Sequence, residues 1–213
     1  MQKVFWDDPY QHILCTRVTA VANNRILLEE TIAFSFSGGQ ESDKATLNGK
    51  AILDSEIEGN LIYYILEEGH NFSPGDAIIM EIDWPRRYRL MRLHFAAELI
   101  LEIVTRKFGL EKMGAHIAET KARIDFVSAT NISDLFDDIL KEYNQIIQRD
   151  EVIQTGFSEV ETQRRFWKIE GFAEVPCGGT HVKSTAEVGF VALKRKNLGN
   201  SKERIEISLV DDA

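Results

Sequence analysis

Residues 77–108 read AIIMEIDWPRRYRLMRLHFAAELILEIVTRKF, and the fold turns on a change of rhythm inside this stretch. The first part, AIIMEID, is a short β-rich run. At Asp83-Trp84-Pro85 the pattern changes. Proline suits the start of a helix, where its missing N–H costs no hydrogen bond. From Leu90 onward Leu93, Ala97, Ile100, Leu101, Val104 and Phe108 recur at helical spacing. The spacing predicts one long helix over Pro85–Lys107.

Upstream, residues 1–83 keep the rhythm of strands. VTAVA, RILLEE, KAILDSEI and LIYYILEE are separated by Asn23-Asn24, Ser37-Gly38-Gly39, Asn48-Gly49, Gly59-Asn60 and Ser73-Pro74-Gly75-Asp76. Short strands at regular spacing with turn residues between them predict a small antiparallel β-barrel. Downstream, a second helix is predicted from about Ile132 to Arg149, with Leu135, Phe136, Ile139, Leu140, Tyr143, Ile146 and Ile147 as its apolar stripe. Asp134 lies in its first turn, where negative charge is favoured. Strands are expected around Arg164–Ile169, Val188–Lys194 and Arg204–Val210. Helices and strands are segregated rather than alternating, which predicts an α+β chain. The expected division is residues 1–84, a β-barrel domain, and 85–213, a domain of helices on antiparallel sheet.

The 213 residues are 44% hydrophobic and 28% charged, enough for a packed core, with a net charge of −9. That balance argues against a general nucleic-acid-coating protein, because such affinity comes from Lys and Arg neutralising phosphates. It leaves room for a local basic patch. The beginning, MQKVFWDDPYQHIL, lacks the basic start and apolar centre of a signal peptide. Apolar runs fall short of the roughly 18 residues of a membrane span. Two cysteines, Cys15 and Cys177, make no disulfide framework. A cytoplasmic protein is expected.

Two pairs of potential metal ligands stand out. His94 and Glu98, in HFAAE, are four apart on the predicted helix and leave the same face one turn apart. Cys177 and His181, in PCGGTH, flank a glycine pair that lets the backbone turn sharply. Zinc takes such N, S and O donors in tetrahedral array. Each pair alone is a weak signal: a helical histidine is more often a core or surface residue, Glu98 could be solvated, and Cys177 could be an inert buried thiol. Glu102 is one turn beyond Glu98, and like charges at that spacing repel by a few tenths of a kcal/mol. A cation at Glu98 would relieve the repulsion, as would Arg106 through Glu102.

RRFWKIEGFAEVPCGGTHVKSTAEVG, residues 164–189, resembles the alanyl-tRNA editing protein (AlaX) family and the editing domain of alanyl-tRNA synthetase. The resemblance extends over nearly the whole chain. FSFSGGQESDKATLNG is similar to the family's glycine-rich loop, IDWPRRYRLMRLH to the lead into its first metal motif, MGAHIAETKARIDF to its central segment, and KRKNLGNSKERIEISL to its C-terminal strand pair. It implies hydrolysis of the ester bond of mischarged aminoacyl-tRNA, seryl- or glycyl-tRNA(Ala), at a zinc site. Of the family's His-x-x-x-His and Cys-x-x-x-His ligands, His94, Cys177 and His181 match three, and Gln40 matches the glutamine of the loop. The resemblance places Gln40 near the substrate as a catalytic residue, and Gly38, Gly39, Gly178, Gly179, Thr180 and Phe95 against substrate; the site is expected in a cleft between the two domains, with Gln40 facing it from the barrel.

The departures are chemical. Where the family reads His-Thr-Ala-x-His, this chain has His94-Phe95-Ala96-Ala97-Glu98, and Ser37 replaces a loop glycine. Glu98 is expected either as fourth zinc ligand or as a general base. As a ligand it would make the site neutral and zinc a weaker Lewis acid. Phe95 replaces a small hydroxyl residue with a bulky apolar one. For tRNA the basic candidates are Arg86 and Arg87, crowded with Arg89 and Arg92 at the helix start, and Lys194, Arg195, Lys196 and Lys202 near the C-terminus; pairing of the first group with Asp83 and Glu81, and a solvated hairpin for the second, are the alternatives. Between Lys183 and Arg204 six basic residues face two acidic ones. The alternative function is an altered editing fold that binds tRNA or another ligand without turnover.

Overall fold

The computed structural model describes residues 1–210 and shows an α+β chain whose sheets are mostly antiparallel. The chain divides into two compact units, one of Met1–Ser37 with Glu41–Tyr88, the other of Gly38–Gln40 with the chain from Arg89 onward.

The first unit opens with β1 (Gln2–Lys3) and the single turn α1 (Val4–Asp7). Then come β2 (Ile13–Ala22), β3 (Arg25–Leu28), β4 (Glu30–Thr31), β5 (Ala45–Leu47), β6 (Lys50–Ala51), β7 (Asp54–Glu58), β8 (Leu61–Ile65) and β9 (Ala77–Ile82). β1 and β4 form a short parallel pair, and the other strands form one sheet in the order β6-β5-β9-β2-β3-β8-β7. β2 turns the corner. Its first half, Ile13–Arg17, pairs with β9, and its second half pairs with β3 across a register shift between Val18 and Ala20. Such an irregularity bends a strand and strengthens its twist. The Asn48-Gly49 signal is a tight hairpin turn, with both residues at positive φ, 46° and 79°. Alternation puts Val18, Ile26, Leu28, Leu47, Ile62, Tyr64, Ile78 and Met80 into the core. The result is a half-barrel, the antiparallel part of the small barrel the turn spacing predicts: among the described residues its ends, β6 and β7, do not pair with each other.

Helix α2 (Trp84–Phe108) gives its first turn to this unit and the rest to the second. Asp83 caps it, its Oδ1 accepting from Arg86 N at 3.1 Å. From Leu90 to Val104 its apolar residues are buried on nearly every side, including Leu90, Met91, Leu93, Phe95, Leu99, Ile100 and Ile103. A helix so enclosed is a core element rather than a surface helix.

The second unit continues with β10 (Glu111–Ile117), β11 (Ala122–Val127), a 3-10 turn Ile132–Leu135, α3 (Phe136–Arg149), β12 (Gln154–Glu159), β13 (Arg164–Ile169), β14 (Ala173–Pro176), the short α4 (Thr185–Val188), β15 (Val191–Gly199) and β16 (Lys202–Leu209). Two antiparallel sheets result, β10-β11-β16-β15 and β12-β13-β14. The helix expected from Ile132 begins as the 3-10 turn because Asn131 caps it there, its side chain accepting from Ser133 N at 3.0 Å. The strand expected from Val188 begins at Val191, since the preceding residues close α4 and Gly189 sits at φ 78°. Among the described residues no helix is long and apolar enough to cross a membrane.

Candidate functional site

Three segments of the second unit meet at one place. The middle of α2 supplies His94 and Glu98, the turn after β14 supplies Cys177 to His181, and the Gly38–Gln40 segment supplies Gln40. Cys177 N donates to Arg165 O of β13 at 2.9 Å, tethering the turn. Gly39, at φ 89°, lies so close to the strand that a Cβ there would stand 2.6 Å from Ala115 O. Ile117 N donates to Gly39 O at 2.8 Å, and Gln40 forms a bridge with Ile117. Gly179 is constrained still more tightly: a Cβ on it would lie 2.0 Å from His94 Cε1. Only glycine allows the turn to lie flat against the His94 ring, which explains the second glycine of CGGTH. Gly178 has open space around its missing Cβ, as does Gly38, whose φ of 60° nonetheless favours glycine.

The donor atoms of His94, Cys177 and His181 all lie within 4.8 Å of one another. Cys177 Sγ is 3.3 Å from both His94 Nε2 and His181 Nε2. Around a tetrahedral zinc, ordinary bond lengths place a thiolate sulfur and an imidazole nitrogen about 3.6 Å apart. The three side chains therefore fit a zinc-sized ion after a slight outward adjustment. The other face of His94 is already fixed. Its Nδ1 donates to Gln40 Oε1 at 2.5 Å. Gln40 Nε2 donates to Thr180 Oγ1 at 2.9 Å, and Thr180 N donates back to Gln40 Oε1 at 3.3 Å. With the amide so oriented, Nδ1 carries the hydrogen and Nε2 is left to face Cys177 and His181. Gln40 is completely buried and Thr180 nearly so. Both stand behind the imidazole.

Glu98 is not among the converging donors. Its Oε1 is 3.6 Å from His94 Nε2, and its Oε2 accepts from Trp167 Nε1 at 3.0 Å. Trp167, fully buried on β13, is a site residue that pattern reading passed over. The available signal was the alternation Arg165, Trp167, Ile169, since a tryptophan turned inward needs an acceptor for its N–H. Phe95 is also fully buried, its ring edge-on to Trp167 at 5.1 Å and to His181 at 5.6 Å.

The charges of these side chains act on one another. Burial alone lowers His94, but the sulfur of Cys177 and the carboxylate of Glu98 bring it up to about 10. Burial raises Cys177, and the two imidazoles outweigh that and hold it down to about 6. Burial likewise raises Glu98, yet His94, with the Trp167 hydrogen bond, brings it down to about 2. Glu102 is raised by burial and by Glu98, with Arg106 opposing, which is the one-turn repulsion the spacing predicts.

The basic candidates divide. Arg87 is completely buried, its guanidinium held by Asp43, by Pro9 O at 3.0 Å and by Ile32 O at 2.6 Å. Arg86 is nearly buried, donating to Glu41 at 2.7 Å and Ser42 O at 3.2 Å. These contacts correct the expectation that the two arginines face tRNA: their charge serves the packing of the first unit. On the β15–β16 hairpin, Arg195 is paired with Glu203 at 2.6 Å, while Lys194, Lys196 and Lys202 are exposed.

The site is thus of a definite class: a histidine–cysteine–histidine donor cluster with both histidines buried and the cysteine half-buried, beside a carboxylate, on an antiparallel α+β scaffold. A family profile described as the threonyl and alanyl tRNA synthetase second additional domain matches residues 165–206, which include Cys177 and His181. The chain is 32% identical to the alanyl-tRNA editing protein AlaX-M of Pyrococcus horikoshii, covering 98% of this chain and 97% of that one. It is 30% identical to AlaX-M of Methanosarcina mazei over 88% of each chain. Similarity to the alanine–tRNA ligase of Methanococcus aeolicus, at 26%, covers 96% of this chain and 25% of the ligase. The chain belongs to the AlaX-M family of alanyl-tRNA editing proteins.

Proposed function

We propose that this protein is a free-standing editing hydrolase that cleaves the ester bond of mischarged aminoacyl-tRNA, seryl- or glycyl-tRNA(Ala), in the cytoplasm. The observation that carries the reading is the convergence of His94, Cys177 and His181 within 4.8 Å in a chain of this family. The three would hold zinc, which when bound would supply a Lewis acid for the ester carbonyl. Three protein donors with a fourth position left open is the pattern of catalytic rather than structural zinc sites.

The residues around the cluster have separable tasks. Gln40 fixes the tautomer and orientation of His94 through Nδ1, and Thr180 holds Gln40 in turn. Glu98 is the proton acceptor for the attacking water. Support comes from its place beside the cluster rather than in it, with one oxygen anchored by Trp167. Glycines 38, 39, 178 and 179 keep the two turns close to the backbone, and the space around Gly178 suits the aminoacyl group. We read the half-barrel and the unit that carries His94–His181 as a barrel domain and an editing domain, residues 1–84 and 85–213; the compact units, which part between Tyr88 and Arg89, support that reading. Exposed Lys194, Lys196 and Lys202 offer contacts to tRNA phosphates.

A second reading, tRNA binding without turnover, is favoured by Phe95, which fills the volume beside His181 where the family resemblance places a threonine. Deacylation of seryl-, glycyl- and alanyl-tRNA(Ala), with zinc content measured on the same preparation, tests both. Hydrolysis of at least one mischarged species supports the first reading. Binding without hydrolysis in zinc-loaded protein sinks it in favour of the second.

A further inference from the structure

The C-terminal end of α2 and one face of α3 enclose a polar cavity of about 370 Å³, outside the donor cluster. Four cations line it, Arg106, Lys107, Lys141 and Arg149, against two carboxylates, Asp138 and Glu142. The α3 residues among them, at 138, 141, 142 and 149, fall on one stripe of the helix, bordering the buried Ile139, Tyr143, Ile146 and Ile147, of which Ile146 also lines the cavity. The ion pairs inside the cavity are long: Arg106 to Glu142 at 3.6 Å, Lys107 to Asp138 at 3.7 Å and to Glu142 at 4.0 Å. Exposed pairs of that length contribute little and exchange readily. Arg106 is held differently. Its Nη1 donates to Phe172 O at 2.6 Å and its guanidinium lies over the Phe172 ring, 4.5 Å from the centroid. The group is thereby oriented while its second amino group, among the described residues, makes the long contact with Glu142.

The plain account is a solvated face, with cations placed near helix C-termini where the dipole favours them. That accounts for Arg106, Lys107 and Arg149, which occupy last turns. It does not account for Lys141 in mid-helix, nor for the collection of a cationic excess in one concavity of a chain that is −9. We propose that this cavity binds a backbone phosphate of the RNA substrate, with Arg106 as the oriented donor and Lys141 and Arg149 as the charges that draw it in. An oriented guanidinium flanked by ammonium groups matches the tetrahedral phosphate oxygens. The position suits a strand whose 3′-terminal ester lies at the donor cluster. Arg106 is twelve residues along α2 from His94, about 18 Å of helix rise, a distance that the few nucleotides next to a 3′ end can span. Contacts also run from one place to the other: Glu98 to Trp167, Trp167 stacked on Phe172 with centroids 6.5 Å apart, and Phe172 under Arg106.

The inference rests on tRNA as the substrate, and the experiment separates the two. Lys141→Glu/Arg149→Glu changes two exposed side chains remote from the donor cluster. Binding of uncharged tRNA(Ala) is titrated at several salt concentrations for wild type and variant, alongside hydrolysis of a 3′-aminoacyl adenosine that has no phosphate backbone. The expected result is a roughly three- to tenfold loss of tRNA affinity near 0.1 M salt and a log–log salt slope shallower by about 1, with hydrolysis of the small ester unchanged. Equal affinity and slope in the two proteins would overturn the phosphate site while leaving the editing reading intact. Wild type that hydrolyses the small ester but does not bind tRNA would overturn both. Inorganic phosphate titrated alone is the last arm: weak binding, lost in the variant and competitive with tRNA, is expected. Tight phosphate binding that leaves tRNA affinity untouched would assign the cavity to free phosphate and overturn the proposal.

Discussion

Both units bury charge, and they use it in opposite ways. In the first unit Arg87 and Asp43 are completely enclosed, and the surroundings saturate them: the guanidinium also reaches Pro9 O and Ile32 O, and Asp43 also accepts from Phe34 N at 2.6 Å. Such a pair is neutral and locked, with nothing left to offer a ligand. In the second unit His94, Cys177 and His181 point their donor atoms at one another. Lone pairs brought together in this way repel unless a proton or a cation lies among them. The lesson is that burial of charge does not by itself mark a functional site. What marks it is a set of donor atoms turned toward one another rather than toward groups that neutralise them.

The sharpest way to test that contrast is at Glu98. Glu98→Gln keeps the shape and removes the proton acceptor, so deacylation of mischarged tRNA is expected to fall by about 10²–10⁴-fold with zinc content and melting temperature nearly unchanged. Single-turnover rates beside a zinc assay check it, and loss of zinc in the variant would instead make Glu98 a ligand. At the locked pair the expected effect is on stability. Arg87→Met leaves Asp43 buried and uncompensated, which costs about 3–5 kcal/mol. Much of that loss is expected to return in Arg87→Met/Asp43→Leu, as read by urea unfolding. A single variant as stable as wild type would break the comparison from the structural side.

Smaller effects are expected behind the imidazole. Gln40→Leu removes the acceptor for His94 Nδ1, and loss of such an outer partner typically weakens metal binding by about 10–100-fold. Competition against a chelator measures this directly, and unchanged affinity would remove Gln40 from the site. The smallest is a proton count. A zinc ligand must be deprotonated. Near pH 8 Cys177, at about 6, is largely thiolate, whereas His94, at about 10, holds its extra proton. Zinc uptake there should release about one proton, and affinity should rise with pH between those two values. Calorimetry in buffers of different ionisation heat gives the number. No release would mean that His94 is already neutral.

Much of this was legible along the chain. Proline and aspartate around Trp84 fix where strands give way to α2, because capping and the first-turn preference of proline are local. The Asn48-Gly49 hairpin is equally local. The donor pairs His94/Glu98 and Cys177/His181 could be read from spacing, and the resemblance of residues 164–189 brought the two pairs together. β10, β11, β12 and β14 were not expected. β11, ARIDFV, has clean alternation and could have been found. β12 is exposed at five of six positions and β14 at two of four, with none of their residues buried, so their pairing with β13 carries no hydrophobic signature.

The sequence by itself determined the fold class, the start of the central helix, the family and the three residues that converge as a donor cluster. Tertiary structure alone decided which buried residues stand around those donors: Gln40 behind His94, Trp167 on Glu98, Gly179 against the imidazole face. It also decided that Arg87 is a core residue rather than a surface one. The physical reason is the range of the interactions. Capping, turns and periodicity act within a few residues and leave a pattern in the chain. A hydrogen bond between residues 40 and 94, or 98 and 167, closes a loop of some fifty or more residues. No local pattern records such a bond; only the packed chain brings its two ends together.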